Sequence, residues 1–584
     1  MLGPPETRSW RLAAIALILC GSTIALILRL AHLQIVEHDK WDDESVGEHL
    51  SRQTIPAHRG RIRDATGYTL ATTVTAYNVF VNPDTSSRSP KADIATARIL
   101  APLVDLSTEE ILSALSKESE EVISVKTGVC YDSGKKIAEL RLPGVECVEE
   151  SKRLYPEGSV AAPLIGFVGK DREGLTGIER DFDRELAGVD GTAIFEQDST
   201  GKPIPLGLRE VMPPEDGADL ILTIDRFVQN LVEEELDEVI EEQSASGGTI
   251  IVMEPKTGVI LGMASRPTFD LTKLDLSHDG DSDLYRNRAI TDMYEPGSIF
   301  KIITMSAALE EKVVSPGTTF HCEGRVTKYG TTITTWNYAA HGEETMTDLL
   351  KNSCNVGAAW VADLLGKEKF YEYVERFGFG QLTNIGLHDN VGLGGESSGQ
   401  VRTPADEEWY PIDLLTNSFG QGINVTPLQM VTAVSAVANG GLLMRPLVVK
   451  EVIGPKERFT YEPVVVRRVI SPDTAHVLTD LLRQVIEDGG GKLAEVPGYN
   501  MAGKTGTAEI PQQYGYDYGG TIAGFCGFGP VEDPRFVILI KIDRPQDSPW
   551  AGEVAAPVFK SIAQQLLVYL KIPPTEVALV QNRD

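Results

Sequence analysis

The sequence predicts an α/β (α+β) layered domain with an antiparallel sheet between helices, preceded by an elongated β-rich module and one N-terminal transmembrane helix. Three observations indicate this organisation. An uncharged apolar run lies near the N-terminus, at residues 12–28. Strand-like and helical segments alternate through residues 34–218. From residue 219 a strand, a helix and a hairpin lead into a helical block that ends in two strands and a helix, an order typical of a layered domain.

Length and composition restrict the class of protein. A chain of 584 residues is too long for one hydrophobic core, because single cores stop growing at roughly 250–300 residues. Apolar and charged shares of 42% and 24% are those of a folded globular protein. The net charge of −30 argues against a nucleic-acid partner, since phosphate binding requires clustered lysine and arginine.

The apolar run at residues 12–28 predicts a membrane anchor. It carries no charge and lies between Arg11 and Arg29, and its length is at the short end of the roughly 17–25 residues that span a bilayer. Arg8 and Arg11 precede it, which favours an N-terminus in the cytoplasm. Everything after about residue 33 would then lie outside the cytoplasm, so the chain would be a single-pass protein.

A cleaved signal peptide and a lipoprotein are the alternatives to an anchor. A signal peptide has a shorter apolar core, whereas this one is long and is followed by Arg29 and His32. A lipoprotein would be modified at Cys20, but Leu19 is bulky where a small residue is expected. An uncleaved anchor is therefore favoured.

The six cysteines contain no C-x-x-C pair, so zinc and thioredoxin-like sites are not indicated, and we expect neither a metal nor a cofactor. Cys130 and Cys147 are close enough in sequence for a disulfide, although spacing alone cannot show pairing.

Local patterns predict the elements of the chain outside the membrane. In the β-rich module, YNVFV (77–81) is typical of a strand, residues 91–117 of helix and residues 82–91 of a loop. In the layered domain, residues 219–225 predict a strand, 226–242 a helix, and 247–255 with 257–265 a hairpin. Helices should dominate from residue 298 to about 440, followed by paired strands at 525–531 and 535–543 and a closing helix at 554–570.

Ser298 and Lys301 form an S-x-x-K motif at the start of an apolar helix. Residues three apart on a helix share one face, so the lysine amine can reach the serine hydroxyl. A serine is a poor nucleophile until a neighbour takes its proton, and a lysine shielded from water has a lowered pKa and can do so. The same pattern occurs at Ser133/Lys136 and Ser199/Lys202, both in turn-like sequence, so this motif alone is weak.

Two further motifs follow in order. S-x-N stands at Ser353 and Asn355, before an apolar helix, and K-T-G-T runs from Lys504 to Thr507. K-T-G also occurs at 126–128 and 256–258, but only the copy at 504 follows the other two motifs. The ordered set resembles that of the serine β-lactamases and penicillin-binding proteins.

Further segments resemble class B penicillin-binding proteins, and together they cover the chain from about residue 55 to 565. They are RGRIRDATGYTLA (59–71), YPEGSVAAPLIGFVG (155–169), GLTGIERDFDRELAGVDG (174–191) and NSFGQGINVTPLQMVTAVSAVANGG (417–441).

The resemblance implies five segments and no glycosyltransferase domain. They are a cytoplasmic tail (1–11), a transmembrane anchor (12–33), a non-catalytic pedestal or dimerisation domain (34–218), a transpeptidase domain with the penicillin-binding/serine-β-lactamase-like fold (219–570) and a tail (571–584).

The motif set also implies roles for individual residues. Ser298 is the expected nucleophile and Lys301 its base, Ser353 and Lys504 move protons and bind the substrate carboxylate, and Asn355 orients Lys301. Thr505, Gly506 and Thr507 are expected to bind the substrate peptide as an added strand, and the backbone N–H groups of Ser298 and Thr507 to hold the oxyanion. One departure is Cys354, where serine is more usual in this family; we expect its side chain to point away with little effect.

The implied activity is a peptidoglycan D,D-transpeptidase in the bacterial inner (cytoplasmic) membrane, which acts on stem peptides and binds β-lactams such as penicillin. The G-x-x-G-I-E block and the short anchor favour a septal, cell-division role over an elongation role. The expected partners are a multi-span membrane glycan polymerase and other division proteins. The acceptor amine and the oligomeric state are left open by the sequence.

Other functions remain as alternatives on the same scaffold. A D,D-carboxypeptidase or β-lactamase would need a base that hydrolyses the acyl-enzyme, for which Glu396 is a candidate only because it is acidic. A β-lactam sensor would need a cytoplasmic signalling portion, and only about ten residues precede the anchor.

Overall fold

A computed structural model describes residues 9–38, 50–82, 90–116, 122–196, 204, 209–274, 283–385, 393–512 and 515–575. They form two compact units, one from residues up to 58 together with 188–216, the other from 59–187 together with 217 onward. Most of the predicted N-terminal tail, of the loop at 82–91 and of the C-terminal tail falls outside the described residues, as does the second S-x-x-K copy at Ser199/Lys202.

The first unit contains the apolar helix. Helix Ser9–Ala31 continues into a π-helical turn, His32–Val36. The segment Trp10–Val36 is the one described helix that is long and apolar enough to cross a membrane, and at about 1.5 Å per residue it extends about 40 Å. The predicted apolar helix is therefore present. The same unit holds a three-stranded antiparallel sheet of Leu50–Ile55, Gly191–Glu196 and Arg209–Met212.

A five-stranded antiparallel sheet is the centre of the second unit, which confirms the predicted fold class. Strand Phe536–Asp543 lies in the middle, and its side chains alternate between two hydrophobic clusters: Val537 and Leu539 enter one, Ile538 and Ile540 the other. This explains the unbroken apolar run in the sequence, since the strand is buried on both faces. The strand order is Ile260–Arg266, Gly247–Met253, Phe536–Asp543, Gly515–Gly529, Ala502–Gln512.

Helices cover both faces of this central sheet. One face packs against Arg226–Glu242 and Ala551–Tyr569, and the other against Pro427–Ala438. The first of these helices begins where predicted because Asp225 caps it, accepting from the N–H groups of Phe227 and Val228. The remaining helices of this region are Arg288–Thr291, Lys301–Glu310, Met346–Lys351, Asn355–Leu365, Lys367–Arg376, Pro411–Asn417 and Pro472–Asp488, with a 3₁₀ turn at Lys492–Ala494.

A second sheet joins early and late parts of the chain. Strand Asp219–Leu222 pairs in parallel with Ile62–Arg63 and antiparallel with Val449–Ile453. Residue 219, the predicted domain boundary, therefore lies inside a continuous sheet. Its other strands are Thr69–Val81, Ile123–Cys130, Val145–Leu154 and Arg458–Thr460, and the accompanying helices are Pro90–Val104, Thr108–Leu115, Tyr131–Leu140, Ala162–Ile165, Gly177–Asp181 and Asp183–Ala187.

Several local expectations differ from the structure. Leu442–Met444 pairs with Val465–Arg468 just beyond the region predicted to be mainly helical. That region itself also contains two short antiparallel pairs, Thr319–Cys322 with Gly342–Thr345 and Arg325–Lys328 with Thr331–Thr334. They are short, and only the threonine-rich run at 331–335 is typical of a strand.

The additional copies of the S-x-x-K and K-T-G motifs lie in regular elements, and two of the cysteines can also be located. Ser133 lies on helix Tyr131–Leu140 and not in a turn, and the K-T-G copy at 126–128 lies inside strand Ile123–Cys130. Cys130 and Cys147 are free thiols.

A buried charge network fixes the start of the RGRIRD segment. Glu179 is fully buried and accepts from Nε of Arg59 and Nε of Arg153, each at 2.7 Å, and from the hydroxyl of Tyr155 at 3.3 Å. A Cβ at Gly60 would lie 1.9 Å from the carbonyl oxygen of Ala218, so only glycine fits beside this network. Two arginines and one carboxylate thus hold three separate segments together.

We expect Glu179→Ala to destabilise the protein by about 3–5 kcal/mol, because two buried guanidinium groups lose the carboxylate that they share. Urea denaturation of the detergent-solubilised chain measures this. Glu487→Ala, which breaks the surface pair with Arg483, is the control and should cost at most about 0.5 kcal/mol. Equal effects of the two substitutions would contradict a stabilising role for the network.

Candidate active site

Ser298 lies on a tight turn that is held from behind by a glycine-rich loop. A 3₁₀ turn, Gly297–Phe300, precedes helix Lys301–Glu310, so Ser298 lies one turn before the regular helix and not within it as predicted. The N–H of Gly297 donates to the carbonyl of Gly420 at 3.2 Å. Gly420 has φ +82°, and a Cβ there would lie 2.1 Å from the carbonyl oxygen of Gly297. Glycine at this position is therefore required for the loop to approach the turn.

Lys301 connects two of the three motifs. Its Nζ lies 2.8 Å from Oγ of Ser298, 2.7 Å from the carbonyl oxygen of Ser353, and 2.7 Å from Oδ1 of Asn355. A fourth contact, 3.2 Å long, reaches Oγ of Ser353. All four partners are neutral oxygens, and the lysine is only 1% exposed.

Ser353 lies between two helices in a strained backbone conformation. Its φ of +54° is in the left-handed region, which separates helix Met346–Lys351 from helix Asn355–Leu365. This turn directs both the carbonyl and the hydroxyl of Ser353 to Lys301. Nδ2 of Asn355 donates to the carbonyl oxygen of Thr334 at 3.2 Å, which fixes the amide with its oxygen facing the lysine.

Lys504 brings the third motif to the same hydroxyl. It lies on Ala502–Gln512, the outer strand of the central sheet, and its Nζ donates to Oγ of Ser353 at 3.0 Å. A Cβ at Gly506 would lie 2.7 Å from Cγ1 of Ile299 and 2.7 Å from the carbonyl oxygen of Pro296. The glycine of K-T-G therefore allows the strand to pack directly against the turn that carries Ser298.

The electrostatics of the site follow from burial. Burial and the nearby charge of Lys504 hold the pKa of Lys301 well below its usual range. Burial lowers the pKa of Lys504 to about 7. Ser298 and Ser353 are partly exposed, whereas Lys301 and Lys504 are buried. The site therefore combines two partly exposed serines with two buried amines whose pKa values are lowered.

The structure brings five of the predicted site residues into one hydrogen-bonded chain: Ser298, Lys301, Ser353, Asn355 and Lys504. Thr505 Oγ1 lies 3.4 Å from Nζ of Lys504, and Oγ1 of Thr507 accepts from the N–H of Ala551 at 3.2 Å.

Glu396 does not join this chain. Its Oε1 accepts from both the N–H and the hydroxyl of Thr383, so its visible hydrogen bonds hold a loop. Burial raises its pKa.

Two exposed tryptophans were missed by the sequence analysis. Trp336 and Trp550 stack edge to face with centroids 5.2 Å apart. Nε1 of Trp336 donates to the carbonyl oxygen of Asn352, next to Ser353, and Trp550 precedes Ala551, which binds Thr507. No local pattern marks either residue, although exposed aromatic side chains are a general sign of binding surfaces.

Cys354 is fully buried, and its Sγ accepts from the N–H of Gly357 at 3.3 Å. Its Sγ lies 3.4 Å from Sγ of Cys322, in a group with His341 and Glu344 that has the composition of a metal-binding site.

The chain matches two protein families. Residues 248–564 match the penicillin binding protein transpeptidase domain, and residues 54–222 match the penicillin-binding protein dimerisation domain.

Relatives and a solved structure are similar over nearly the whole chain. Stage V sporulation protein D of Bacillus subtilis is 36% identical and the match covers 95% of this chain and 85% of that protein. Peptidoglycan D,D-transpeptidase FtsI of Escherichia coli K12 is 30% identical, and the match covers 97% of this chain and 93% of that protein. The crystal structure of penicillin binding protein 3 from Mycobacterium tuberculosis, complexed with aztreonam, is 28% identical with a TM-score of 0.69, covering 89% of this chain and 98% of that one.

Proposed function

This chain belongs to the class B penicillin-binding proteins, and we propose that it is a peptidoglycan D,D-transpeptidase that cross-links cell wall through an acyl-enzyme at Ser298. The observation that carries the proposal is the hydrogen-bonded chain from Ser298 through Lys301 and Ser353 to Lys504. It links a nucleophile, a base and a second proton carrier, which is what acyl transfer requires.

Acylation begins with proton transfer from Oγ of Ser298 to the neutral Nζ of Lys301, which are 2.8 Å apart. The serine oxygen then attacks the carbonyl carbon of the penultimate D-alanine of a stem peptide. The negative charge that develops on the carbonyl oxygen is stabilised by the backbone N–H groups of Ser298 and Thr507. Asn355 holds Lys301 in reach of the serine through its Oδ1.

The acyl-enzyme forms when the C–N bond to the terminal D-alanine breaks. The leaving amine takes a proton from Oγ of Ser353, which lies 3.2 Å from Nζ of Lys301 and 3.0 Å from Nζ of Lys504. The proton removed from Ser298 can thus be returned through Ser353. An acceptor amine then attacks the ester, loses a proton along the same chain in reverse, and leaves Ser298 free with a new peptide cross-link.

Substrate binding would use the outer strand of the central sheet. Residues Lys504 to Thr507 lie on an edge strand, whose free side can pair with an extended peptide. The ammonium form of Lys504 and the hydroxyls of Thr505 and Thr507 would bind the terminal carboxylate, and the same contacts suit the carboxylate of a β-lactam.

The predicted domain division is proposed together with this function: anchor at 12–33, pedestal at 34–218 and transpeptidase at 219–570. Among the described residues, one N-terminal helix is long and apolar enough to cross a membrane, which supports a single-pass membrane protein. We place it in the inner (cytoplasmic) membrane with the catalytic domain outside the cytoplasm, in contact with a multi-span glycan polymerase and other division proteins. The arginines before the helix and the family resemblance support this arrangement.

Fluorescent penicillin should label the detergent-solubilised chain covalently, and Ser298→Ala should lose the adduct completely because the attacking oxygen is gone. Ser133→Ala is the matched control, since Ser133 heads another S-x-x-K copy, and its labelling should equal that of wild type. Labelling of Ser298→Ala, or none of the wild type, would disprove the assignment. A wild-type adduct that turns over rapidly would indicate a β-lactamase.

Acylation should slow as the pH falls through the lowered pKa of Lys301. Lys301 accepts a proton only when neutral, and burial together with the nearby charge of Lys504 keeps its pKa well below the usual range for lysine. The acylation rate constant for penicillin, measured by stopped-flow fluorescence, should drop by up to roughly tenfold per pH unit on the acid side.

The lysine variant Lys351→Gln serves as the control for this profile. Lys351 forms a surface pair with Asp488, so its loss should leave the profile unchanged. A rate constant that stays the same down to the lowest pH at which the protein remains folded would rule out a neutral lysine as the base.

Depletion of the protein in its host should give filamentous cells if the role is septal. The measurements are growth rate and cell length, the latter by microscopy. Wild-type protein should restore normal cells, whereas the Ser298→Ala variant should not. Round cells would instead support the elongation role. Normal cells with defective spores would support a role like that named for the Bacillus subtilis relative.

A further inference from the structure

Four side chains with metal-binding atoms converge behind the S-x-N motif. The sulfur atoms of Cys322 and Cys354 are 3.4 Å apart, and Nδ1 of His341 lies 3.0 Å from Oε1 of Glu344. All four ligand atoms lie within 4.8 Å of one another. Two thiols, an imidazole and a carboxylate are the side chains that most often bind transition metals in proteins.

The fold brings these residues together from separate segments. Strand Thr319–Cys322 pairs with strand Gly342–Thr345, with Cys322 opposite Gly342. His341 directly precedes the second strand, and Glu344 lies two residues after Gly342 on it. Cys354 caps helix Asn355–Leu365 and comes from the motif itself. The cysteines are far apart in the sequence and lack a C-x-x-C spacing, so no local pattern indicates a metal site here.

Burial and one unsatisfied carboxylate oxygen favour a bound cation at this group. Cys322 and Cys354 are fully buried and Glu344 is 1% exposed. Oε1 of Glu344 accepts from Nδ2 of Asn352 at 2.7 Å, but its buried Oε2 has no hydrogen-bond partner among the described residues. A buried carboxylate oxygen without a partner is strongly disfavoured, and a cation bound there would satisfy it.

The donor set suits zinc. Zinc takes four ligands in a tetrahedron, with about 2.3 Å to sulfur and about 2.0–2.2 Å to nitrogen or oxygen, which sets two sulfur ligands about 3.8 Å apart. The observed 3.4 Å requires only a small adjustment. Calcium and magnesium prefer oxygen ligands alone, so the two cysteines exclude them.

We propose that one Zn²⁺ is bound by Cys322, His341, Glu344 and Cys354. The ion would connect the S-x-N motif to the paired strands Thr319–Cys322 and Gly342–Thr345. Supporting contacts are already present: the N–H of Gly357 donates to Sγ of Cys354 at 3.3 Å, and Asn352 holds Glu344. The His341 side chain is 12% exposed and gives the ion a path of entry. The bound ion would fix Cys354, and with it the neighbouring Ser353 and Asn355.

Zinc content of the full-length, detergent-solubilised chain provides the test. Protein purified under reducing conditions, incubated with zinc chloride and dialysed should retain about one zinc per chain, measured by inductively coupled plasma mass spectrometry. The variants Cys322→Ser and His341→Gln should each retain at least about tenfold less zinc than wild type. Loss of a hydrogen-bond partner of a ligand can already weaken metal binding about tenfold, and these changes remove a ligand itself.

Matched controls come from the same region. His321 pairs with Glu343 at 2.8 Å on the exposed side of the same two paired strands. His321→Gln therefore removes a similar imidazole without changing any of the four proposed zinc ligands. Cys130→Ser removes an exposed thiol elsewhere. Both should retain zinc as wild type does. Substitution by Co²⁺ should give thiolate-to-cobalt charge-transfer absorption in wild type and both controls, which reports sulfur ligation without relying on variants that could misfold.

Three results would overturn the proposal. They are a reduced wild type that retains no zinc, a Cys322→Ser variant that retains as much as wild type, and Co²⁺ binding without charge-transfer absorption. Peptide mapping that finds Cys322 and Cys354 joined as a disulfide in freshly isolated protein would also overturn it, in favour of a redox pair. None of these outcomes depends on penicillin labelling, so the zinc site and the proposed transpeptidase activity can fail separately.

Discussion

The buried amine of Lys301 is the constraint on which the site depends. It reaches two hydroxyls, a carbonyl and an amide oxygen, all neutral, and it is shielded from water. A lysine in bulk water is protonated at neutral pH and could not accept a proton from serine. Burial without a carboxylate partner in this contact set favours the neutral amine, and four oxygens keep it aligned with Ser298.

Keeping that amine dry requires a large scaffold. Helix Lys301–Glu310 is buried along nearly its whole length, and the central sheet beside it is covered by helices on both faces. The outer strand that carries Lys504 can approach only because Gly506 has no side chain, and the turn that carries Ser298 accepts its supporting loop only because of Gly420. The glycines thus set the distances between motifs as much as the reactive residues do.

Each motif is held in place by a segment that carries no motif. The loop at 417–422 supports Ser298, the N-terminus of helix Ala551–Tyr569 binds Thr507, and the hairpin region at 319–345 supports S-x-N. In the last case Thr334 accepts from Asn355, and Glu344 accepts from Asn352. The proposed zinc site lies within this third support, so a metal there would act on the motif by positioning it and not by joining the reaction.

The sequence by itself determined the features that depend on neighbouring residues. The limits of helix Arg226–Glu242 follow from its apolar spacing and the cap at Asp225, and the hairpin and the strand Phe536–Asp543 follow from apolar runs and turns. The order of three motifs, with the family segments, was enough to indicate the chemistry. Strands Thr319–Cys322 and Gly342–Thr345 were missed because each forms by pairing with a partner that is distant in the sequence, and local preference contributes little. Only the tertiary structure decided how deeply Lys301 and Lys504 are buried, which glycines let the motifs meet, and that Cys322 lies against Cys354. Burial, close approach and pKa arise from packing between residues far apart in the chain, and no local pattern records them.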